Sequence, residues 1–216
     1  MEVQVWSDFA CPWCVLGLAR LRAARAAFEH GDEVSVVHRS FELRPRAPAR
    51  VGRSYEEAVA AKYGVAPAQA RAGHERLTAL GKEAGIDFAF ERVQLGNTFN
   101  AHRLAQAARG TAAEDALVEG LFNAYFTEGR LLSDPDVLTD VAVSAGMDSS
   151  LVLEVLGGSD YADAVRADEA AAEEIGVTGV PFFLINGVWP VPGAQDVETM
   201  LILLQRAWAK SDASSH

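Results

Sequence analysis

The sequence has few cysteines and no excess of basic residues. Cys11 and Cys14 are the only cysteines among 216 residues, too few for a disulfide framework. The 19 Lys and Arg residues are outnumbered by 30 Asp and Glu residues, which gives a formal net charge of -11. Because nucleic-acid affinity depends on cations that neutralise phosphates, this balance argues against a nucleic-acid partner.

Long apolar segments are also lacking. No run reaches the ~18 apolar residues of a membrane-spanning helix. Residues 1–8 (MEVQVWSD) alternate like a strand and lack the basic and apolar regions of a signal peptide. We therefore expect no membrane partner and a cytoplasmic location. The length suits one large domain, or one domain with a sizeable insertion.

Charge is unevenly distributed along the chain. Residues 1–109 contain 15 Lys and Arg and 12 Asp and Glu, a net of +3, whereas residues 110–216 contain 4 and 18, a net of -14. Solvated acidic helix faces are the simpler explanation. The alternative is that the nearly neutral first half faces an anionic ligand or peptide.

Strand patterns occur only at the two ends of the chain. Residues 2–8 and 33–41 are β-rich and flank a helical apolar period over 14–29, which predicts a βαβ crossover. Residues 181–185 (PFFLI) and 188–191 flank Asn-Gly, a strong hairpin turn. A final amphipathic helix is expected over 194–210, followed by a frayed tail over 211–216.

The middle of the chain predicts helices only. Ser54 and Glu57 form a capping box, and Asp134, Asp148 and Ser159 are credible helix starts. The expected helices follow the capping box and cover 67–84, 98–109, 112–127, 135–145, 149–157 and 160–175. The sequence thus predicts an α/β fold in which residues 1–41 and 158–216 form one sheet domain. Residues 42–157 form an all-helical insertion.

The segment Cys11-Pro12-Trp13-Cys14 lies where the first strand ends and the first helix begins. The free N–H groups and the dipole at a helix N-terminus favour a thiolate at Cys11. Cys14, one turn inside, is less exposed and within disulfide reach. One thiol can attack a substrate disulfide while the other resolves the mixed disulfide. Trp13 adds an apolar surface without charge.

The cysteine pair has two alternative interpretations, a zinc site and inert core cysteines. A zinc site needs two further ligands, and the sequence contains neither a second cysteine pair nor closely spaced histidines. Inert core cysteines are equally disfavoured, because proline separates them at a helix start. A redox pair that needs no metal or organic cofactor is the preferred interpretation.

A second motif, residues 176–181 (GVTGVP), precedes the PFFLI strand. Proline is allowed at the first residue of a strand, and the Val180–Pro181 bond is a candidate for cis. Most X–Pro bonds are trans, so the residues alone favour trans and leave cis as the alternative.

Together these motifs resemble the DsbA branch of the thioredoxin superfamily. The strings WSDFACPWC, GNTFNAHRLAQAA and GVTGVPFFLING are similar to its FrnE-like subgroup. The resemblance implies a thioredoxin fold (βαβ…ββα) with a helical lid and a redox-active Cys11–Cys14 disulfide. It also implies a cis Pro181 packed against the cysteines, and Val180 backbone groups that pair with substrate.

The same subgroup is similar to 2-hydroxychromene-2-carboxylate isomerase and kappa-class glutathione transferases, which generally have serine at the position of Cys11. Cysteines at both ends of the motif favour disulfide exchange. We therefore expect a protein-disulfide oxidoreductase that acts on protein or peptide thiols and disulfides, or on small thiols such as glutathione. A glutathione-dependent isomerase or transferase and a non-catalytic peptide-binding chaperone are the alternatives.

Four further residues are weaker candidates for the cleft. Asp8 precedes Cys11 by three residues and could accept a hydrogen bond or move protons, although a turn-forming aspartate is the simpler interpretation. Asn97, His102 and Arg103 lie near a predicted helix start and could face Cys11. A packed or surface histidine is the simpler interpretation of His102.

Overall fold

A computed structural model describes residues 1–213. Its strands are β1 (Glu2–Ser7), β2 (Ser35–Ser40), β3 (Phe182–Ile185) and β4 (Trp189–Pro192). Its helices are α1 (Pro12–Ala27), α2 (Tyr55–Tyr63), α3 (Pro67–Glu83), α4 (Phe99–Ala108), α5 (Glu114–Phe126), α6 (Pro135–Ser144), α7 (Ser149–Gly157), α8 (Ala162–Glu174) and α9 (Val197–Ala213).

The four strands form one mixed sheet in the order β2-β1-β3-β4. Strand β1 pairs with β2 in parallel and with β3 in antiparallel orientation, and β3 and β4 form an antiparallel pair. The two ends of the chain therefore meet in one sheet, with Val5 opposite Phe183 across β1 and β3. The predicted α/β order of elements, with a helical block between the two sheet segments, is confirmed.

The two faces of the sheet differ in the size of their cores. Val5 and Phe183 belong to the large core, which also contains Cys14 of α1 and Leu104 of α4. A smaller cluster on Trp6 and Phe182 packs under α8. Because the large core runs from the sheet into the helical block, the two parts pack against each other. The predicted domain boundaries at residues 41 and 158 stay a prediction.

Most helix starts agree with their local sequence signals. Ser54 and Glu57 form the predicted capping box, and the carboxylates of Asp134 and Asp148 accept backbone N–H groups at the starts of α6 and α7. Helix α8 is an exception, because it begins at Ala162 after Tyr161 in a left-handed conformation rather than at Ser159. The signal of a serine cap was not sufficient to locate this start.

The boundaries of helices α1 and α9 also differ from the sequence-based expectation. Helix α1 begins two residues earlier than expected because Pro12, whose ring fixes φ and which has no N–H, occupies the first helical position. Helix α9 begins at Val197 and continues to Ala213, so residues 211–213 are helical rather than frayed. The rest of the expected tail lies outside the described residues. Within residues 1–213, no helix combines the length and the apolar character needed to cross a membrane.

Candidate active site

Cys11 and Cys14 lie at the start of α1, as the motif predicted. Cys11 is the N-cap residue, with an extended backbone, and Cys14 N donates to its carbonyl oxygen at 3.0 Å. Cys11 is 5% exposed and Cys14 is fully buried. Trp13 is exposed beside them. Both cysteines are free thiols. Because Cys11 is the more exposed of the two, it is the thiol that a substrate reaches first.

The two thiols have different acidities. A hydrogen bond from Cys14 lowers the pKa of Cys11 below its usual range, although burial opposes this effect. Burial raises the pKa of Cys14 well above its usual range, and its interaction with Cys11 raises it further. The negative charge of Asp8 raises the pKa of both. At neutral pH the thiolate therefore forms preferentially at Cys11.

The loop before β3 contacts both Cys11 and helix α1. The Val180–Pro181 peptide is cis, and Cys11 Sγ donates to the Val180 carbonyl oxygen at 3.5 Å. Pro181 in turn packs on α1 at Gly17, where a Cβ atom would lie 3.0 Å from Pro181 Cγ and 3.2 Å from Phe183 Cζ. The missing side chain at Gly17 thus lets this loop reach the helix.

The role of Gly17 was missed by the sequence analysis. An isolated glycine inside a helical pattern lowers helix stability and is a signal of close packing. That signal was present in residues 14–29.

Asp8 is 1% exposed, and its backbone carbonyl oxygen accepts a hydrogen bond from Cys11 N at 2.9 Å. Asp8 Oδ1 accepts hydrogen bonds from Ala10 N and Thr98 Oγ1, both at 3.0 Å, and Oδ2 accepts one from Leu43 N at 2.7 Å. Burial alone would raise the pKa of Asp8, but the interaction with His102 and these backbone hydrogen bonds lower it overall. The carboxylate is therefore ionised and ties β1 to the loop after β2 and to the start of α4.

His102 is packed in the interior, as its simpler interpretation predicted, and does not line the cleft. It is buried, with its ring 4.8 Å from that of Phe9, and its Nε2 atom lies 3.6 Å from Asp8 Oδ1. This separation is too long for a hydrogen bond, and Nε2 has no other partner among the described residues. His102 thus lies beside Asp8 on the side away from solvent.

Asn97 and Arg103 also lie away from the cleft. The Asn97 side chain accepts from Phe99 N at 2.8 Å at the start of α4. Arg103 is buried and donates to three carbonyl oxygens, those of Val155, Gly158 and Asp160, where α7 leads into α8. Both expectations are corrected for the same reason, since sequence position near a helix start does not determine which side of that helix faces the cysteines.

A cavity of about 760 Å³ opens beside Cys11. It is lined by the cysteine motif, the loop before α2, and the facing sides of α2 and α3. Its wall is mostly apolar and aromatic, with Tyr55 and Leu77 among the lining residues. Pro12 and Trp13 line it as well. The helical block thus forms one wall of the space in which a substrate would meet Cys11.

No group of three potential metal ligands (His, Cys, Asp or Glu) occurs in the part of the chain that the structure describes. The thiol that lines the cavity is that of Cys11.

Comparison with known proteins places this arrangement in a family. The chain is 40% identical to a probable DsbA oxidoreductase of Streptomyces coelicolor, whose crystal structure superposes with a TM-score of 0.92 over 97% of this chain and 90% of that one. Two more distant structures share the fold. They are 2-hydroxychromene-2-carboxylate isomerase, and the cytosolic disulfide reductase DsbM of Pseudomonas aeruginosa with GSH.

The isomerase is 19% identical, with a TM-score of 0.67 over 100% of this chain and 98% of that one. DsbM is 14% identical, with a TM-score of 0.64 over 97% and 100%. The model of the DSBA-like thioredoxin domain matches residues 2–205, which confirms the predicted thioredoxin fold. The chain therefore belongs to the DsbA-like thioredoxin-domain family.

Proposed function

We propose that this protein is a thiol–disulfide oxidoreductase of the FrnE-like subgroup. Cys11 is the nucleophile and Cys14 the resolving cysteine. The observation that carries the proposal is the asymmetry of the pair. Cys11 is at the helix start, borders the cavity and has a lowered pKa, whereas Cys14 is buried with a raised pKa. A nucleophile needs access and thiolate character, and both belong to Cys11.

The exchange balances without a metal or an organic cofactor. The Cys11 thiolate attacks one sulfur of a substrate disulfide, forms a mixed disulfide and releases the other sulfur as a thiolate. Cys14 then loses its proton and attacks Cys11 Sγ, which releases the second substrate thiolate and leaves a Cys11–Cys14 disulfide. The pair carries two electrons, and a dithiol protein or a small thiol such as glutathione returns them. The same steps in reverse oxidise a dithiol.

Substrate contacts are assigned to four residues around Cys11. Pro12 and Trp13 line the cavity, and Val180 with Pro181 forms the loop whose carbonyl oxygen contacts Cys11 Sγ. Backbone groups of Val180 are suited to an extended peptide. The expected partners are protein or peptide thiols and disulfides, and the solved complex of DsbM with GSH supports glutathione as an alternative small partner. A cytoplasmic setting, like that of DsbM, is part of the proposal.

The decisive variant is Cys14→Ser. Without the resolving thiol, the mixed disulfide on Cys11 should persist, so incubation with a peptide disulfide should give a covalent adduct visible by mass spectrometry. Cys11→Ser is the matched control and should give no adduct at the motif, because the remaining thiol is buried and has a raised pKa.

The same variant separates the proposal from a glutathione-dependent isomerase or transferase. Cys14→Ser should abolish turnover of disulfide substrates. Two results together would favour the isomerase or transferase. The wild type would show no disulfide turnover, and Cys14→Ser would conjugate glutathione or isomerise the substrate at the wild-type rate. Full suppression of client aggregation by the protein lacking both cysteines would instead favour a chaperone.

A further inference from the structure

The cavity beside Cys11 contains cationic side chains without carboxylates. Arg44, Arg53 and Lys62 line it, and no Asp or Glu of the described residues does so. The sequence places this charge locally, since residues 43–54 contain four arginines and no acidic residue. The nearly neutral first half of the chain thus concentrates positive charge at the cavity.

Arg44 differs from the other partly buried arginines of residues 1–213. Arg39 and Arg109 pair with Asp168, and the buried Arg103 donates to backbone carbonyls. Arg44 as a residue is half-buried and lines the cavity, yet its side chain has neither an ion pair nor a hydrogen bond with any described residue. Burial raises the pKa of Tyr55, which lines the cavity, and the positive charge of Arg44 partly opposes this increase. The charge of Arg44 therefore acts on the cavity wall.

A half-buried cation without a partner is unfavourable, because it gives up hydration without a compensating interaction. An anionic ligand would supply that interaction. The planar guanidinium matches a carboxylate through two parallel hydrogen bonds. The apolar wall around it, which includes Tyr55 and Leu77, can at the same time bury aliphatic or aromatic groups of the same ligand.

We propose that the cavity binds short peptide disulfides in which a carboxylate and an apolar side chain flank the reacting cysteine. Arg44 receives the carboxylate, and Arg53 and Lys62, exposed at the edge of the cavity, attract it. Cys11 Sγ, on the same cavity, receives the disulfide. This assignment rests on the proposed function and specifies its substrate class.

The test uses two capped tetrapeptide disulfides that are identical except for a glutamate or a lysine beside the cysteine. The second-order rate constant for oxidation of the pre-reduced protein is measured with each. Each value is divided by the rate constant of the same peptide with 2-mercaptoethanol, a neutral thiol, which removes differences in intrinsic reactivity. We expect the normalised preference for the glutamate peptide to be about tenfold at low salt and to decrease as salt is added.

Variants of Arg44 connect this preference to the cavity. Arg44→Gln should reduce the preference to about onefold. Arg44→Lys keeps the positive charge but not the planar guanidinium with its two parallel hydrogen bonds, so it should retain part of the preference. Arg46→Gln is the matched control, since Arg46 is exposed on the same loop and does not line the cavity. This control should keep the wild-type preference.

Equal normalised rates for the two peptides in the wild type would overturn the inference, as would an unchanged preference in Arg44→Gln. An effect of Arg44→Gln on glutathione disulfide alone, with the peptide preference unaltered, would also overturn the assignment to peptides. These outcomes differ from failure of the proposed function, in which the wild type would form no Cys11–Cys14 disulfide with either peptide.

Discussion

Replacing Asp8 by asparagine is the substitution that tests the environment of the cysteines most completely. The carboxylate accepts three hydrogen bonds, from Ala10 N, Leu43 N and Thr98 Oγ1. An asparagine side chain keeps the shape but has one acceptor atom. If its oxygen takes the place of Oδ1, its amide nitrogen faces Leu43 N, so the shortest of the three hydrogen bonds is lost and two donors oppose each other.

The expected loss of stability follows from the number of hydrogen bonds that the substitution removes. A hydrogen bond to a charged group contributes about 1.5–3 kcal/mol, and an unpaired buried donor is itself unfavourable. We therefore expect Asp8→Asn to lower the free energy of unfolding by about 2–4 kcal/mol at pH 7. For a chain of this size, each kcal/mol corresponds to roughly 2–4 °C in Tm. The melting temperature should decrease by roughly 5–15 °C.

The effect has a defined pH dependence. The pKa of Asp8 is lower in the folded protein than its ordinary value of 3.8. The carboxylate therefore stabilises the fold fully above that ordinary value, and its contribution is lost as the pH falls through the folded pKa. The stability difference between the wild type and Asp8→Asn should therefore decrease below about pH 4.

A second measurement tests the electrostatic role of Asp8. Its negative charge raises the pKa of Cys11 and Cys14, so its removal should lower the Cys11 pKa and increase the rate of alkylation by iodoacetamide at pH 7. Urea denaturation monitored by tryptophan fluorescence supplies the stabilities. Asp148→Asn is the control, since asparagine caps the start of α7 as well as aspartate does. Wild-type stability of Asp8→Asn at pH 7, or an unchanged pH profile of alkylation, would refute the reasoning.

Three other substitutions test the packing, two of them at Gly17 beside the site and one at Arg103 away from it. Gly17→Val should lower the free energy of unfolding by about 2–3 kcal/mol in urea denaturation and slow disulfide exchange, because its side chain would displace Pro181 and Phe183. Gly17→Ala should slow disulfide exchange with little change in the free energy of unfolding. The higher helix propensity of alanine offsets the unfavourable close contact of its Cβ atom with Pro181. Arg103→Met should lower the free energy of unfolding by about 3–5 kcal/mol, because it removes the hydrogen bonds that Arg103 donates to three carbonyl oxygens. The alkylation profile of Cys11 should not change in Arg103→Met, and a changed profile would contradict the structural role given to Arg103.

The sequence predicted those features that local patterns determine. The strand-to-helix junction near Cys11 follows from alternation in β1 and from the helical apolar period of the residues after it. The hairpin between β3 and β4 follows from the Asn-Gly turn, with Asn186 and Gly187 both at positive φ. Helix starts with a side-chain cap were predictable for the same reason, because the cap and its N–H partner lie within a few residues.

The features that depend on distant segments could not be predicted from these patterns. The hydrogen bond from Thr98 to Asp8 joins residues 90 positions apart, and no local signal specifies it. His102 and Arg103 are consecutive on α4 yet face different partners, and only tertiary packing decides which. The charge of Arg44 was visible in the sequence, but its position in the cavity depends on how the helical block folds over α1.

The central claim is that Cys11 and Cys14 form a reversible redox pair. Its most direct test is equilibration of the protein with glutathione redox buffers, followed by quantification of the intramolecular disulfide after alkylation. The account predicts a single two-electron transition from dithiol to disulfide, which is absent in Cys11→Ser and in Cys14→Ser. Failure of the wild-type protein to form the Cys11–Cys14 disulfide at any ratio of reduced to oxidised glutathione would contradict it.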